Sequence, residues 1–256
     1  MTDPTDDASR WVRRYHARPD AAVRLVCLPH AGGSASFFFP FSRALPADLE
    51  AVAVQYPGRQ DRHAEPLIPA VPELADAVYA ALLPWADRPL AFFGHSMGAI
   101  LAFEVARRFE REKGLVAAAL FASGRRGPTT HRDERVHERD DQGLLDELRS
   151  LSGTDSQVLG DEELLRMVLP AIRSDYRAIE TYAYRPGPPL RCPVHVLTGD
   201  TDPKVTAPEA AAWSEVTTHP ARVHTYPGGH FFLTTHQAAI RALVTDTLRA
   251  GLATGT

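Results

Sequence analysis

Short apolar runs alternate with helix-length amphipathic stretches from residue 22 to the end of the chain. Val23–Leu28, Ala51–Gln55, Leu90–Phe93 and Val116–Ala122 are rich in β-formers, short, and bounded by turn residues, so they read as buried strands. Phe37–Leu45, Val71–Leu83 and Met97–Glu112 lie between them with helical length and spacing. Two later strands are expected at Val194–Thr198 and Arg222–Tyr226, separated by a helix over Pro208–Val216. A last helix is expected over Thr235–Leu248. Strands alternating with helices imply a mostly parallel sheet covered on both faces, an α/β fold.

One segment breaks the rhythm. Arg125 to Leu190 contains no convincing strand, only polar linker and helical patterns at Gly143–Leu151, Asp161–Leu169 and Ala171–Tyr184. A structureless loop of that length is uncommon inside a domain, so residues 125–190 are expected to be a helical insertion within a single domain spanning 1–256. It would rise from the carboxyl edge of the sheet, where open α/β sheets bind ligands. A lid or substrate-shaping cap is the functional expectation, and a structural subdomain the alternative.

Composition narrows the classes. At 256 residues the chain can bury a large core, and 44% hydrophobic with 23% charged residues is ordinary for a globular protein. A net charge of −4 argues against a nucleic-acid partner. Cys27 and Cys192 are too few for a disulfide framework and flank apolar runs, so buried reduced thiols are expected. Met1–Trp11 is polar and acidic with no signal-peptide core, and the longest apolar run, Leu115–Ala122, is far short of a membrane span. A soluble cytoplasmic protein without membrane contact is the expectation.

Chemistry enters at Gly94-His95-Ser96-Met97-Gly98. A G-x-S-x-G pentamer alone is weak, but here a strand precedes it and a helix follows. A serine on so sharp a turn takes strained backbone angles, and its hydroxyl is lifted above the sheet. The Met97 N–H then lies at a helix N-terminus, placed to donate to an anion. Such a hydroxyl needs a base that titrates near neutrality. Of 11 histidines, His95 is inside the turn and expected to be structural. His16, His63, His131 and His137 sit in polar segments and are expected to be solvated, and His195 and His224 lie within strands. His230 follows Gly228-Gly229 between the last strand and the last helix, where the base of a serine hydrolase of this order belongs; His236 is the alternative.

The acid should follow an earlier strand. Val194–Thr198 runs into Gly199-Asp200-Thr201-Asp202-Pro203, which offers two carboxylates. Asp202, further round the turn, is the better placed to orient His230, and Asp200 the better placed to tie the loop backbone through an Asx-type bond. A second oxyanion donor is expected after the first of these strands, in Leu28-Pro29-His30-Ala31-Gly32-Gly33-Ser34. Ala31 is the natural donor and Gly32 the alternative, while an ordinary turn is the plain reading of such a loop. Ser96, Asp202 and His230 in that order match the α/β-hydrolase fold and not other serine-hydrolase orders. No cofactor or metal is called for.

With these residues in place the chain resembles the stand-alone, type II thioesterases of polyketide and nonribosomal peptide synthesis. The matching stretches are Leu28–Ser36, Gln55–Pro66, Phe93–Gly98, Gly199–Lys204 and Gly228–Leu233. The second, YPGRQDRHAEP from Tyr56, is the discriminating one; its Arg59 and Arg62 either line the entrance or rigidify the loop with Glu65. The resemblance implies hydrolysis of acyl groups from the phosphopantetheine arm of acyl or peptidyl carrier proteins, with stalled or aberrant units removed. It further implies that Ser96 takes the acyl group while Ala31 and Met97 hold the oxyanion. Arg125, Arg126, Arg132, Arg135 and Arg139 would then meet an acidic carrier, although interleaved acidic residues make a solvated mixed-charge helix the simpler expectation. A chain opening at its own Met1, with no carrier domain ahead, is read as a stand-alone enzyme rather than a terminal cyclising domain. The competing readings are an esterase or acyl hydrolase acting on small esters or acyl-CoA, and a catalytically silent hydrolase fold used for binding.

Overall fold

The computed structural model describes residues 10–152 and 162–254. Seven strands form one sheet in the order β1-β3-β2-β4-β5-β6-β7. They are β1 (Val12–Arg13), β2 (Val23–Leu28), β3 (Leu49–Val54), β4 (Leu90–His95), β5 (Leu120–Ser123), β6 (Val194–Gly199) and β7 (Arg222–Tyr226). Every neighbouring pair is parallel except β1 with β3. The helices are α1 (Phe39–Arg43), α2 (Val71–Leu82), α3 (Met97–Lys113), α4 (Asp141–Ser152), α5 (Glu162–Glu180), α6 (Ala207–Ala211), α7 (Phe232–Thr235) and α8 (Gln237–Thr254).

Alternate residues of the central strands feed two separate cores. Val26, Leu28, Phe92 and Val196 pack on one face with Leu74 and Val78 of α2 and Phe103 of α3. Leu25, Cys27, Phe93 and Leu197 pack on the other with Phe38, Phe41 of α1, and Ile240 and Val244 of α8. β2 and β4 are therefore buried along their whole length, which is why their sequences run nearly continuously apolar. Cys27 and Cys192 are buried and free, and burial pushes the Cys192 thiol up to about 12.

Several boundaries differ from expectation for identifiable reasons. β3 begins two residues early, at Leu49, because the fully buried Glu50 is neutralised by Arg24 and Arg14 and so belongs to the sheet. β5 is shorter than the apolar run that announced it: Leu115 and Val116 are exposed, and the strand starts at Leu120. The expected helix over Phe37–Leu45 is a 3-10 turn, Ala35–Phe38, followed by the five-residue α1. β1 is a two-residue edge strand, too short to leave a pattern.

Between β5 and β6 the chain carries α4 and α5. The Asp140 carboxylate starts α4 by accepting the Gly143 N–H at 2.8 Å. α5 continues through Pro170, so the helices expected over Asp161–Leu169 and Ala171–Tyr184 are one element, with Asp161 itself outside the described residues. Val136, Leu144, Leu145, Leu169, Ile172 and Tyr176 give this insertion a small core of its own.

Candidate active site

β4 passes into α3 through a single residue, Ser96. Its backbone lies at φ 54°, ψ −117°, a region that side-chain-bearing residues rarely occupy. Its N–H donates to the Ser123 carbonyl of β5 at 2.8 Å. The turn closes only because its glycines have no side chain: a Cβ on Gly94 would stand 2.0 Å from the Gly98 oxygen, and one on Gly98 would stand 2.1 Å from the Leu28 oxygen. Met97 follows as the first residue of α3, where an N–H has no acceptor within its own helix.

His230 enters the same place from the loop after β7. Ser96, His230, His30 and Ala31 line one cavity of about 40 Å³ at the carboxyl edge of the sheet. The His230 Nδ1–H donates to both oxygens of Asp202, at 3.0 and 2.9 Å, with both side chains buried. That bond protonates Nδ1 and leaves Nε2 as the unprotonated nitrogen. Asp202 is held in turn by the Lys204 N–H at 2.9 Å. Asp200 is directed elsewhere, accepting the Gly228 N–H at 2.8 Å and joining the loops after β6 and β7. His236 donates to the Pro227 carbonyl from an exposed position and does not enter the cavity.

Ala31 and Gly32, the two expected oxyanion donors, are told apart by a residue far along the chain. The Gly32 N–H donates to Asp175 Oδ2 of α5 at 2.7 Å. Among the described residues no acceptor is bonded to the Ala31 N–H. His30, absent from the sequence expectations, lies in the cavity wall between Phe37 and Phe231. Burial pushes its imidazole down to about 3, and His230 and Arg59 reinforce the effect. His95 is held well below its usual range by burial and then by His230 and His30, with Nδ1 against Ser123 Oγ at 3.0 Å. Both imidazoles are neutral near pH 7. Among the described residues no cluster of three His, Cys, Asp or Glu is placed to hold a metal.

Residues 23–247 match the thioesterase domain as a family. The chain belongs to the thioesterase family. It is 55% identical over 228 residues to thioesterase PikA5 of Streptomyces venezuelae, covering 89% of this chain and 81% of the relative. It is 54% identical over 248 residues to a probable cadicidin biosynthesis thioesterase of Streptomyces griseus, covering 97% of this chain and 68% of the relative. The solved type II thioesterase BorB, from the borrelidin biosynthetic cluster, superposes with a TM-score of 0.88 at 52% identity, covering 93% of this chain and 98% of BorB. The thioesterase is thus a hydrolase of the α/β-hydrolase fold acting on thioesters, and its homologues are type II thioesterases of polyketide and nonribosomal peptide pathways.

In the thioesterase the two arginines of the YPGR stretch have different partners. Arg62 bonds Glu65 through Nε at 3.0 Å and the Gln55 carbonyl at 2.7 Å, and covers the Trp11 ring at 4.0 Å. Arg59 instead reaches across to α5 and pairs bidentately with Asp175, at 2.6 and 2.9 Å, both side chains buried.

The arginine-rich segment after β5 corrects two expectations. It is not a mixed-charge helix, because residues 124–135 have no helical structure and the 3-10 turn Val136–Glu138 is only three residues long. Arg125 and Arg126 do not face solvent, being 8% and 3% exposed. The segment is pinned by partners distant in sequence, Arg132 to Glu209 and Glu134 to Lys204, and within itself by Arg126 to Glu134. Arg135 and Arg139 carry charge at the surface, paired with Asp133 and Glu147. Of the histidines expected in solvent, His137 is instead bound to Glu180 at 2.5 Å and His16 to Ser42 at 2.9 Å. Among the described residues no helix is long and apolar enough to cross a membrane.

Proposed function

We propose that this thioesterase removes acyl groups from the phosphopantetheine arm of acyl or peptidyl carrier proteins, clearing aberrant or stalled units in polyketide or nonribosomal peptide synthesis. Ser96, Asp202 and His230 form the catalytic triad of this reading. The observation that supports it is the buried Asp202–His230 pair at 2.9 Å, beside a serine on a strained turn in the same cavity.

The Ser96 hydroxyl attacks the thioester carbonyl while His230 Nε2 takes its proton. The charge that develops on the carbonyl oxygen is met by the Ala31 and Met97 N–H groups; one such donor is worth about 10²–10³ in rate. The tetrahedral centre collapses, the C–S bond breaks, and the imidazolium returns its proton to the leaving sulfur. Water, activated by the same imidazole, then releases the acid and frees Ser96. Asp202 holds the imidazole in its working tautomer throughout and steadies its positive charge.

In this reading residues 125–190 are a cap that shapes the acyl chamber. Leu148 and Leu151 of α4 and Tyr176 and Ile179 of α5, which line the Ser96 cavity, support that role. A cytoplasmic setting belongs to the same proposal, because carrier-bound chains are assembled there. Turnover of an acyl carrier protein, set against esters of the same acyl group, tests the proposal. Higher kcat/KM for the carrier is expected, and strong preference for the esters would leave an ordinary esterase.

A further inference from the structure

A second cavity, of about 270 Å³, opens beside the one that holds Ser96. Arg125, Ile179 and Glu180 line both, so the two spaces meet across a common wall. The remaining lining combines apolar groups such as Ile100, Tyr182 and Tyr184 with the guanidinium groups of Arg126 and Arg132.

The three arginines are not equally satisfied. Arg132 is paired with Glu209. Arg126 gives one nitrogen to Glu134 at 2.7 Å, while its Nε and Nη1 are buried without a partner. The Arg125 carbonyl accepts the Trp213 indole N–H at 2.9 Å, but its guanidinium has no hydrogen-bonded or ion-paired partner among the described residues, and its Nε is buried and unbonded. The nearby carboxylates are already committed. Glu134 is shared by Arg126 and Lys204, and Glu180 accepts the Val136 and His137 N–H groups and the His137 ring. Burial, and then Arg126, pull the Arg125 guanidinium down to about 9, and the charges of Glu134 and Glu180, neither of them bonded to it, offset this only in part. Buried cations are normally paired, because an unpaired charge out of water is among the costliest features a fold can keep. Two neighbouring guanidiniums with buried free N–H groups beside an open cavity are a place for an anion that the chain itself does not supply.

We propose that Arg125 and Arg126 form a subsite for an anionic oxygen group, a carboxylate or a phosphate, carried by the thioester substrate. The inference rests on Ser96 being the nucleophile. The planar guanidinium matches either group with paired N–H donors. Ile100, Ile179 and the two tyrosines suit the uncharged chain that links that group to the thioester. Because Arg125 lines the Ser96 cavity as well as the second one, a single substrate can set its carbonyl at Ser96 and its anion against Arg125. Two parts of such a substrate supply this chemistry: the far end of a dicarboxylic acyl group, or the phosphate of the pantetheine arm.

Matched thioesters separate the two sources. Butyryl and succinyl N-acetylcysteamine differ by a terminal carboxylate and contain no phosphate; butyryl pantetheine and butyryl phosphopantetheine differ only in the phosphate. In at least one pair kcat/KM is expected to favour the anionic member by about tenfold or more, the scale of a charge-assisted hydrogen bond in a buried site. Arg125→Gln should bring that ratio close to one, and Arg125→Lys should retain part of it. Preference for succinyl assigns the subsite to the acyl group, and preference for phosphopantetheine assigns it to the arm. Equal values within both pairs, or a preference that survives Arg125→Gln, overturns the proposal while leaving the thioesterase mechanism standing. If Arg125→Gln does not fold, the wild-type ratios and Arg125→Lys decide. If none of the four thioesters is hydrolysed, the catalytic reading fails instead, and the subsite is judged by calorimetry of succinate and phosphopantetheine with the Ser96→Ala chain. Binding of either upholds it, and binding of neither overturns it.

Discussion

Asp175 accepts the Gly32 N–H at 2.7 Å with the same oxygen that takes Arg59 Nη1 at 2.6 Å. One buried carboxylate on α5 therefore joins the insertion, the YPGR loop and the turn that carries Ala31. It also removes Gly32 from the set of free donors, so the oxyanion role in the proposed mechanism falls to Ala31. Arg59 completes the clamp by donating to the Gly33 carbonyl at 3.1 Å.

Asp175→Asn leaves the Arg59 guanidinium buried without its counter-charge. Breaking a buried pair in this way costs about 3–5 kcal/mol, measurable by denaturant unfolding. Replacing both partners, as Arg59→Met with Asp175→Leu, should recover most of that stability. The double variant is nonetheless expected to have a reduced kcat, because the turn before Ala31 has lost its anchor. Wild-type kcat in a stable double variant would show that the clamp only supports the fold.

Ser96→Ala removes the proposed nucleophile without touching a hydrogen bond given by its side chain. Turnover of any acyl thioester should disappear while the melting temperature stays close to that of the parent, since alanine keeps the same Cβ on the same strained backbone. Acyl-enzyme detected by mass spectrometry in the parent and absent from the variant is the expected result. Hydrolysis persisting in the variant would move the nucleophile elsewhere.

The two loop carboxylates should separate cleanly. Asp202→Asn takes away the acceptor that sets the His230 tautomer, and kcat is expected to fall by about 10³–10⁴, as for other orienting acids. Asp200→Asn loosens only the bond to the Gly228 N–H and should cost less than about tenfold, the effect of one exposed hydrogen bond. Rate measurements giving the opposite order would displace Asp202 from the triad.

Stability should decline as acid is added well before the carboxylates titrate. His30 is buried, and its folded-state value is about 3, whereas an unfolded histidine titrates near 6.5. The unfolded chain therefore binds the extra proton between those values, and the contribution is complete above about 6.5 and lost as pH falls toward 3. His30→Asn should take up one proton fewer on unfolding in that window, seen as a shallower dependence of unfolding free energy on pH. His95, shifted in the same direction, keeps part of the slope. An unchanged slope in His30→Asn would mean that this imidazole is already charged in the native state.

The features legible in the sequence were those whose physics is local. Gly94 and Ser96 announce a strained strand-to-helix turn because the close approach that demands Gly94 is to Gly98 and Ala99, a few residues on, whereas Gly98 is required by the distant backbone of Leu28 and Pro29. The long strands and α3 were legible because burial on both faces, or on one stripe, leaves its mark in every residue. β1 was missed because two residues carry no period, and the start of β3 because a buried Glu50 reads as polar until Arg24 and Arg14 are seen beside it.

By itself, the order of residues settled the α/β alternation, the turn at Ser96, and the family through motifs spread over most of the chain. Tertiary structure alone decided which of two nearby aspartates reaches His230, which of two adjacent N–H groups stays free, and that Arg125 and Arg126 lie inside rather than at the surface. Each of those outcomes is a pairing between side chains or backbone groups that packing brings together from distant segments, as with Gly32 and Asp175 across 143 positions. A carboxylate or guanidinium has the same letter whether it is solvated or buried, and only its neighbours in space determine its charge, its partner and its use.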